Sequence, residues 1–134
     1  MDRIAEQFHG ELPVGIATII VMRTKRFPFL IVSPTMRVPS RILGTINAYL
    51  SMRAALAAIL DHNKGGLVGI NSVAVPGLGT GVGGMPADEA GAQMRAAYDM
   101  IALEGWRRVV HHVQAPFALG PAPTQSGLNQ REYS

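Results

Sequence analysis

The pattern of apolar residues along this chain predicts an α/β fold, with helices laid over the faces of a sheet, and three observations carry that prediction. Residues 16–22 and 29–32 are aliphatic, largely β-branched runs of strand character. Two later stretches, near 41–61 and 87–101, return their apolar residues every three or four positions, which is helical spacing. Between them a third strand-like run, 67–75, is joined by a glycine-rich loop to the second helix, so that strands and helices alternate as in right-handed crossovers onto a largely parallel sheet. A length of 134 residues accommodates one such core and not two, and 48% hydrophobic against 16% charged residues supplies enough apolar surface to build it.

The elements follow in order. Ile4, Ala5 and Phe8 share a helical spacing that would close near Gly10. Ile16 to Met22 and Phe29 to Val32 are expected to pair as a hairpin across the basic connection Arg23-Thr24-Lys25-Arg26, while Pro28, Pro34 and Pro39 exclude helix there. From Arg41 to Asp61 the residues Ile42, Ile46, Tyr49, Leu50, Leu56 and Leu60 form one helix face, ended by Asn63-Lys64-Gly65-Gly66. Leu67 to Val75 reads as a buried strand. Pro86, followed by Asp88 and Glu89 in a first turn, opens a helix whose stripe is Ala90, Met94, Ala97, Tyr98 and Ile101. Trp106 to Val113 is a last strand, which sets a domain over 1–115. Residues 116–134, with prolines, glycines and no period, read as a C-terminal tail in loop or partly disordered form.

Several function classes fall away. The apolar run 16–22 is broken by Thr18 and closed by Arg23, too short to span a bilayer, and Asp2, Arg3 and Glu6 do not make a signal peptide, so a cytoplasmic location and no membrane partner are expected. With no cysteine there is no disulfide or thiolate site. The net charge is +3, and no acid occurs between Glu11 and Asp61 although Arg23, Lys25, Arg26, Arg37, Arg41 and Arg53 lie there. Lacking regular spacing or interleaved aromatics, these bases read as a solvated surface rather than a nucleic-acid interface. His111 and His112, adjacent on one strand, point to opposite faces and do not share a metal; His9 and His62 fall at helix ends. No metal or cofactor is expected. Ser33 and Ser72 read as structural, since no nucleophile elbow surrounds them. Met85, Met94 and Met100 need no special role beyond packing.

The segment Pro76-Gly77-Leu78-Gly79-Thr80-Gly81-Val82-Gly83-Gly84-Met85-Pro86 places five glycines in eleven residues ahead of a helix start. Glycine allows positive φ and lets backbone N–H groups approach an anion, and the helix N-terminus adds partial positive charge, which suits a phosphate or diphosphate better than it suits a purely structural turn. No Gly-Lys-Ser/Thr ends the loop, so it is no Walker A. Gly79, Gly81 and Gly84 match G-x-G-x-x-G without the acid expected at a second strand end.

Over residues 12–113 the chain resembles the macro domain family. Val73-Ala74-Val75-Pro76, Thr80-Gly81-Val82, Gly84-Met85-Pro86 and Asp88-Glu89-Ala90 follow that family's strand, diphosphate loop and helix start. Upstream, Leu12-Pro13-Val14-Gly15-Ile16-Ala17, Phe29 to Pro34 and Tyr49 to Ile59 look like its earlier strands and helix. The resemblance implies a three-layer αβα fold with a mixed sheet, incomplete at the N-terminus because the family's first strands, adenine-contacting Asp and asparagine loop have no counterpart before Glu11. It implies binding of ADP-ribose or a related nucleotide diphosphate by Gly77, Gly79, Thr80, Gly81, Val82, Gly83 and Gly84. Gly83 stands where many members carry an aromatic near the distal ribose. Phe117, just past the last strand, is the expected stacking residue, in preference to Trp106. An ADP-ribosyl hydrolase ranks lower without the asparagine loop, and no catalytic residue is assigned. A third alternative is a non-binding remnant or a subunit completed by a partner or by self-association through the incomplete sheet.

Overall fold

The computed structural model describes residues 9–65 and 68–104. Within them the fold is mixed α/β. Strand β1 (Thr18–Val21) and strand β2 (Phe29–Val32) form an antiparallel two-stranded sheet, with Thr18 opposite Val32, Ile20 opposite Leu30 and Val21 opposite Phe29. This is the expected hairpin. Thr24 shapes its connection: the hydroxyl donates to the Phe27 carbonyl at 2.9 Å and accepts the Phe27 N–H at 3.2 Å, and the Met22 N–H closes the loop on the Pro28 carbonyl at 2.7 Å.

Helix α1 (Asn47–Lys64) starts later than its periodicity suggests. Gly44, at φ +72°, and Thr45 turn the chain first, because the Thr45 backbone N–H and hydroxyl both donate to the Ile42 carbonyl. The same hydroxyl then accepts the Asn47 N–H at 3.3 Å, doing the work of a cap from one residue upstream of the usual position. Helix α2 (Ala87–Ile101) begins at the predicted place, directly after Pro86.

The two helices pack on one another, and α1 also packs on β1. Most of the residues they bury are small, Ala48, Ser51 and Ala54 on α1 and Ala90 and Ala97 on α2, and Ala48 and Ala90 pack in one cluster with Ile42 and Met85. Gln93 of α2 ties its helix to the start of α1, accepting the Tyr49 N–H at 3.1 Å and donating to the Thr45 carbonyl at 2.8 Å. One donor and one acceptor that would otherwise be orphaned are thereby satisfied. At the end of β2, the Ser33 hydroxyl donates to the Ser51 carbonyl at 2.7 Å and Ser51 returns a bond to the Ser33 carbonyl at 2.8 Å. Both serines in this pair are structural, and Ser72 is exposed.

Three expectations are corrected. The buried face of α2 is Ala90, Ala97 and Met100, rotated from the predicted stripe; Tyr98 is exposed, with the Arg95 guanidinium 5.9 Å from its ring centroid. Met85 and Met100, not Met94, are the buried methionines among the described residues, and Met85 packs with Ile42, Ala48 and Ala90, a place its unbranched side chain can fill. The third strand does not form: residues 68–77 are irregular, and Val68, Val73 and Val75 are 77%, 48% and 42% exposed. A strand needs a neighbour for its backbone groups, and neither β1 nor β2 pairs with this segment. It is held instead by the end of α1. The Asn63 side chain accepts the Ile70 N–H at 2.8 Å and donates to the Ile70 carbonyl at 3.0 Å, and His62 Nε2 lies 2.8 Å from the Val68 carbonyl. The crossover onto a parallel sheet is therefore absent among the described residues.

The expected helix at 3–8, strand at 106–113, the boundary at 115 and the tail at 116–134 lie outside the described residues, as does Leu67. No helix among the described residues is long and apolar enough to cross a membrane.

Candidate functional site

In the glycine loop the carbonyls of Gly77, Gly79, Gly81 and Gly83 accept hydrogen bonds, while several of its amides meet no described acceptor. The Thr80 N–H and hydroxyl turn back on the Gly77 carbonyl at 3.3 and 2.8 Å. The Gly79 carbonyl accepts the Met85 N–H at 3.0 Å, the Gly81 carbonyl the Gly84 N–H at 3.0 Å, and the Gly83 carbonyl the Ile42 N–H at 2.9 Å. Within this arrangement the N–H groups of Gly81, Val82 and Gly83 bond to no described residue. These three successive donors stand a few residues ahead of the α2 N-terminus.

Ile42 sets the shape of the loop from below. It is buried with Ala48, Met85 and Ala90, and Leu78 and Met36 pack against the cluster. A Cβ at Gly79 would come within 2.7 Å of Ile42 Cδ1, and Gly79 also has φ +78°. A Cβ at Gly83 would sit 2.6 Å from the Gly79 carbonyl oxygen and 2.7 Å from Ile42 Cγ1. These two positions therefore require glycine for close approach. At Gly77 a Cβ would crowd the Thr80 side chain at 3.0 Å, whereas at Gly81 it would meet open space. Val82 is exposed. The structure thus brings Gly77, Gly79, Thr80, Gly81, Val82, Gly83 and Gly84 into one loop, while Phe117, His111, His112 and Trp106 lie outside the described residues.

The mouth of α2 is not purely electropositive. The Glu89 N–H donates to the Asp88 carboxylate at 2.9 Å, so one helix-start donor is already taken. Among the described residues no three His, Cys, Asp or Glu side chains gather as a metal site would require. His62, beyond its bond to Val68, meets the Phe29 ring edge-on at 4.9 Å between centroids. Tyr49 is buried with its hydroxyl lacking a hydrogen-bond partner among the described residues. Burial raises its pKa, and the nearby Arg53 guanidinium pulls it partly back.

Sequence reasoning missed Ile42 as the floor of the loop, Gln93 as a tie between the helices, and Arg41 beside Gly84. Ile42 fitted the helical stripe equally well, and no periodic signal separates a buried residue before a helix from one inside it.

Over 100 residues this chain is similar, at 32% identity, to an uncharacterized protein of Aeropyrum pernix. The match takes 73% of this chain and 50% of that protein, so the chain spans about half the length of that relative. No family model matches the chain, and no solved structure matches it.

Proposed function

We propose that this chain is a macro-domain-like module that binds ADP-ribose or a related nucleotide diphosphate at the glycine loop, acting in the cytoplasm. The observation that supports this most strongly is the set of three consecutive amides, Gly81, Val82 and Gly83, that bond to no described residue, on a loop where the Gly77, Gly79 and Gly81 carbonyls accept bonds from within the loop and the Gly83 carbonyl accepts the Ile42 N–H. Anionic phosphoryl oxygens are acceptors that match such donors, and charge-assisted bonds to them are the stronger kind. The tight packing at Gly83 accounts for the lack of an aromatic side chain there, so the distal ribose would be held by other groups.

The finer fold, a three-layer αβα arrangement with a mixed sheet, belongs to the same proposal. It is favoured by β2, where Phe29, Leu30, Ile31 and Val32 are apolar on both alternating faces, as in strands covered on two sides. The exposed valines of 68–77 favour a second reading alongside it, a subunit completed by self-association or a partner. Sedimentation of the purified chain tests that reading, and a monomer at all concentrations would count against it.

The binding proposal is tested by calorimetric titration of the folded chain with ADP-ribose, and with AMP for comparison. Saturable heat with a preference for ADP-ribose is the expected result, and release of product from an ADP-ribosylated substrate would then extend it to hydrolysis. No heat with ADP-ribose at millimolar concentration would overturn it.

A further inference from the structure

The Arg41 side chain lies against the glycine loop on the side of Gly84. A Cβ built at Gly84 would meet Arg41 Cζ and Nη2 at 3.0 Å and Nη1 at 3.3 Å. Three guanidinium atoms at nearly one distance mean that the group presents its flat face to the Gly84 α-carbon. The N–H donors of a guanidinium lie in its plane and point outward from its edge. Face-on packing therefore positions Arg41 without consuming its donors, and Arg41 makes no hydrogen bond or ion pair with any described residue. The other arginines that pair do so elsewhere, Arg37 with Glu11 and Arg95 with Asp99. The position of Arg41 is itself constrained, because the adjoining Ile42 N–H is bonded to the Gly83 carbonyl and the Ile42 side chain is locked under Gly79 and Gly83. A fixed backbone thus holds an exposed guanidinium against Gly84, the residue that directly follows the Gly81 to Gly83 amides in the loop.

From this we infer that Arg41 is a ligand-binding residue that takes the second phosphoryl group of a diphosphate, while the Gly81 to Gly83 amides take the first. This rests on the diphosphate reading of the loop and adds a specificity to it. Amides alone accept any single anionic group, whereas a planar fork at a set distance rewards a ligand with two linked phosphoryl groups. Glycine at position 84 serves the same end, since its φ of +65° and its bare α-carbon are what admit the guanidinium.

The test titrates ADP-ribose and AMP into wild type, Arg41→Gln and Arg41→Lys at low salt. Loss of a charged, two-bonded contact should weaken ADP-ribose by about tenfold or more in Arg41→Gln. AMP, with one phosphoryl group, should weaken by less than about twofold. Arg41→Lys keeps the charge and the stem, and should recover only part of the ADP-ribose affinity. Wild-type affinity for ADP-ribose in both variants overturns the assignment while leaving the loop reading intact. Equal weakening of ADP-ribose and AMP also overturns it, showing a general charge effect. Wild type that binds neither compound removes the loop reading, and this inference with it. Should Arg41→Gln fail to fold, Arg41→Lys decides, since full ADP-ribose affinity there excludes a forked contact.

Discussion

A single methyl group added at Gly83 should loosen the loop more than a whole side chain added two residues earlier. In Gly83→Ala the new carbon would lie 2.6 Å from the Gly79 carbonyl oxygen and 2.7 Å from Ile42 Cγ1, against one backbone atom and one core atom that have little freedom to yield. Overpacking of this sort costs about 1–3 kcal/mol. Relief requires the loop to lift, which also breaks the bond from the Ile42 N–H to the Gly83 carbonyl, worth about 1 kcal/mol. The total is about 2–4 kcal/mol, or a fall in Tm of roughly 10 °C for a domain of this size. Gly81→Ala places its methyl in open space at a φ that any residue adopts, so its stability should stay within about 0.5 kcal/mol of wild type. Urea unfolding of both variants, followed by far-ultraviolet circular dichroism, measures the difference. If Gly83→Ala unfolds at the same midpoint as Gly81→Ala, the loop does not rest on Ile42 and the reasoning fails. Gly81→Leu completes the experiment: it should melt like wild type and yet give no heat with ADP-ribose.

Three further outcomes are expected. Gln93→Ala strips the Tyr49 N–H and the Thr45 carbonyl of their partner and should cost about 1–2 kcal/mol, read as a lower urea midpoint with an unchanged slope. Tyr49→Phe removes a buried hydroxyl with no hydrogen-bond partner among the described residues and should leave stability unchanged or raise it by up to about 1 kcal/mol. Because burial raises the Tyr49 pKa above its ordinary 10.0, the phenol loses its proton more readily in the unfolded chain. Wild-type stability should therefore decline as pH rises from there through the folded value, and a melting series above pH 10 should be flatter for the Phe variant. Asp88→Asn removes the negative charge nearest the start of α2 and should tighten ADP-ribose binding by about two- to fivefold, with an unchanged or weakened affinity counting against anion binding at this end of the helix.

Local chemistry was legible where it is self-contained. The hairpin follows from two aliphatic runs with a short basic connection, and α2 from Pro86 with acids in its first turn, because neither depends on distant residues for its start. The loop was visible as glycines, but which of them are required was not: Gly79 and Gly83 are fixed by Ile42, a residue more than thirty positions upstream whose spacing equally fitted a helix face. The run 67–75 has strand composition, yet composition does not supply a neighbour, and Asn63 takes the role that a partner strand would fill for Ile70. The start of α1 was misplaced because the Thr45 side chain draws the chain into a turn that helix propensity does not register.

The alternation of used and free groups in the glycine loop divides neighbouring amides into two kinetic populations. Protons on Gly81, Val82 and Gly83 should trade with deuterated solvent on the timescale of an unstructured peptide, whereas those on Gly84, Met85 and Ile42 should wait for the loop to open. A phosphate ester seated on the loop would slow the first group without needing to move the second. The same few resonances would thus report occupancy and loop integrity separately in one deuterium-exchange experiment.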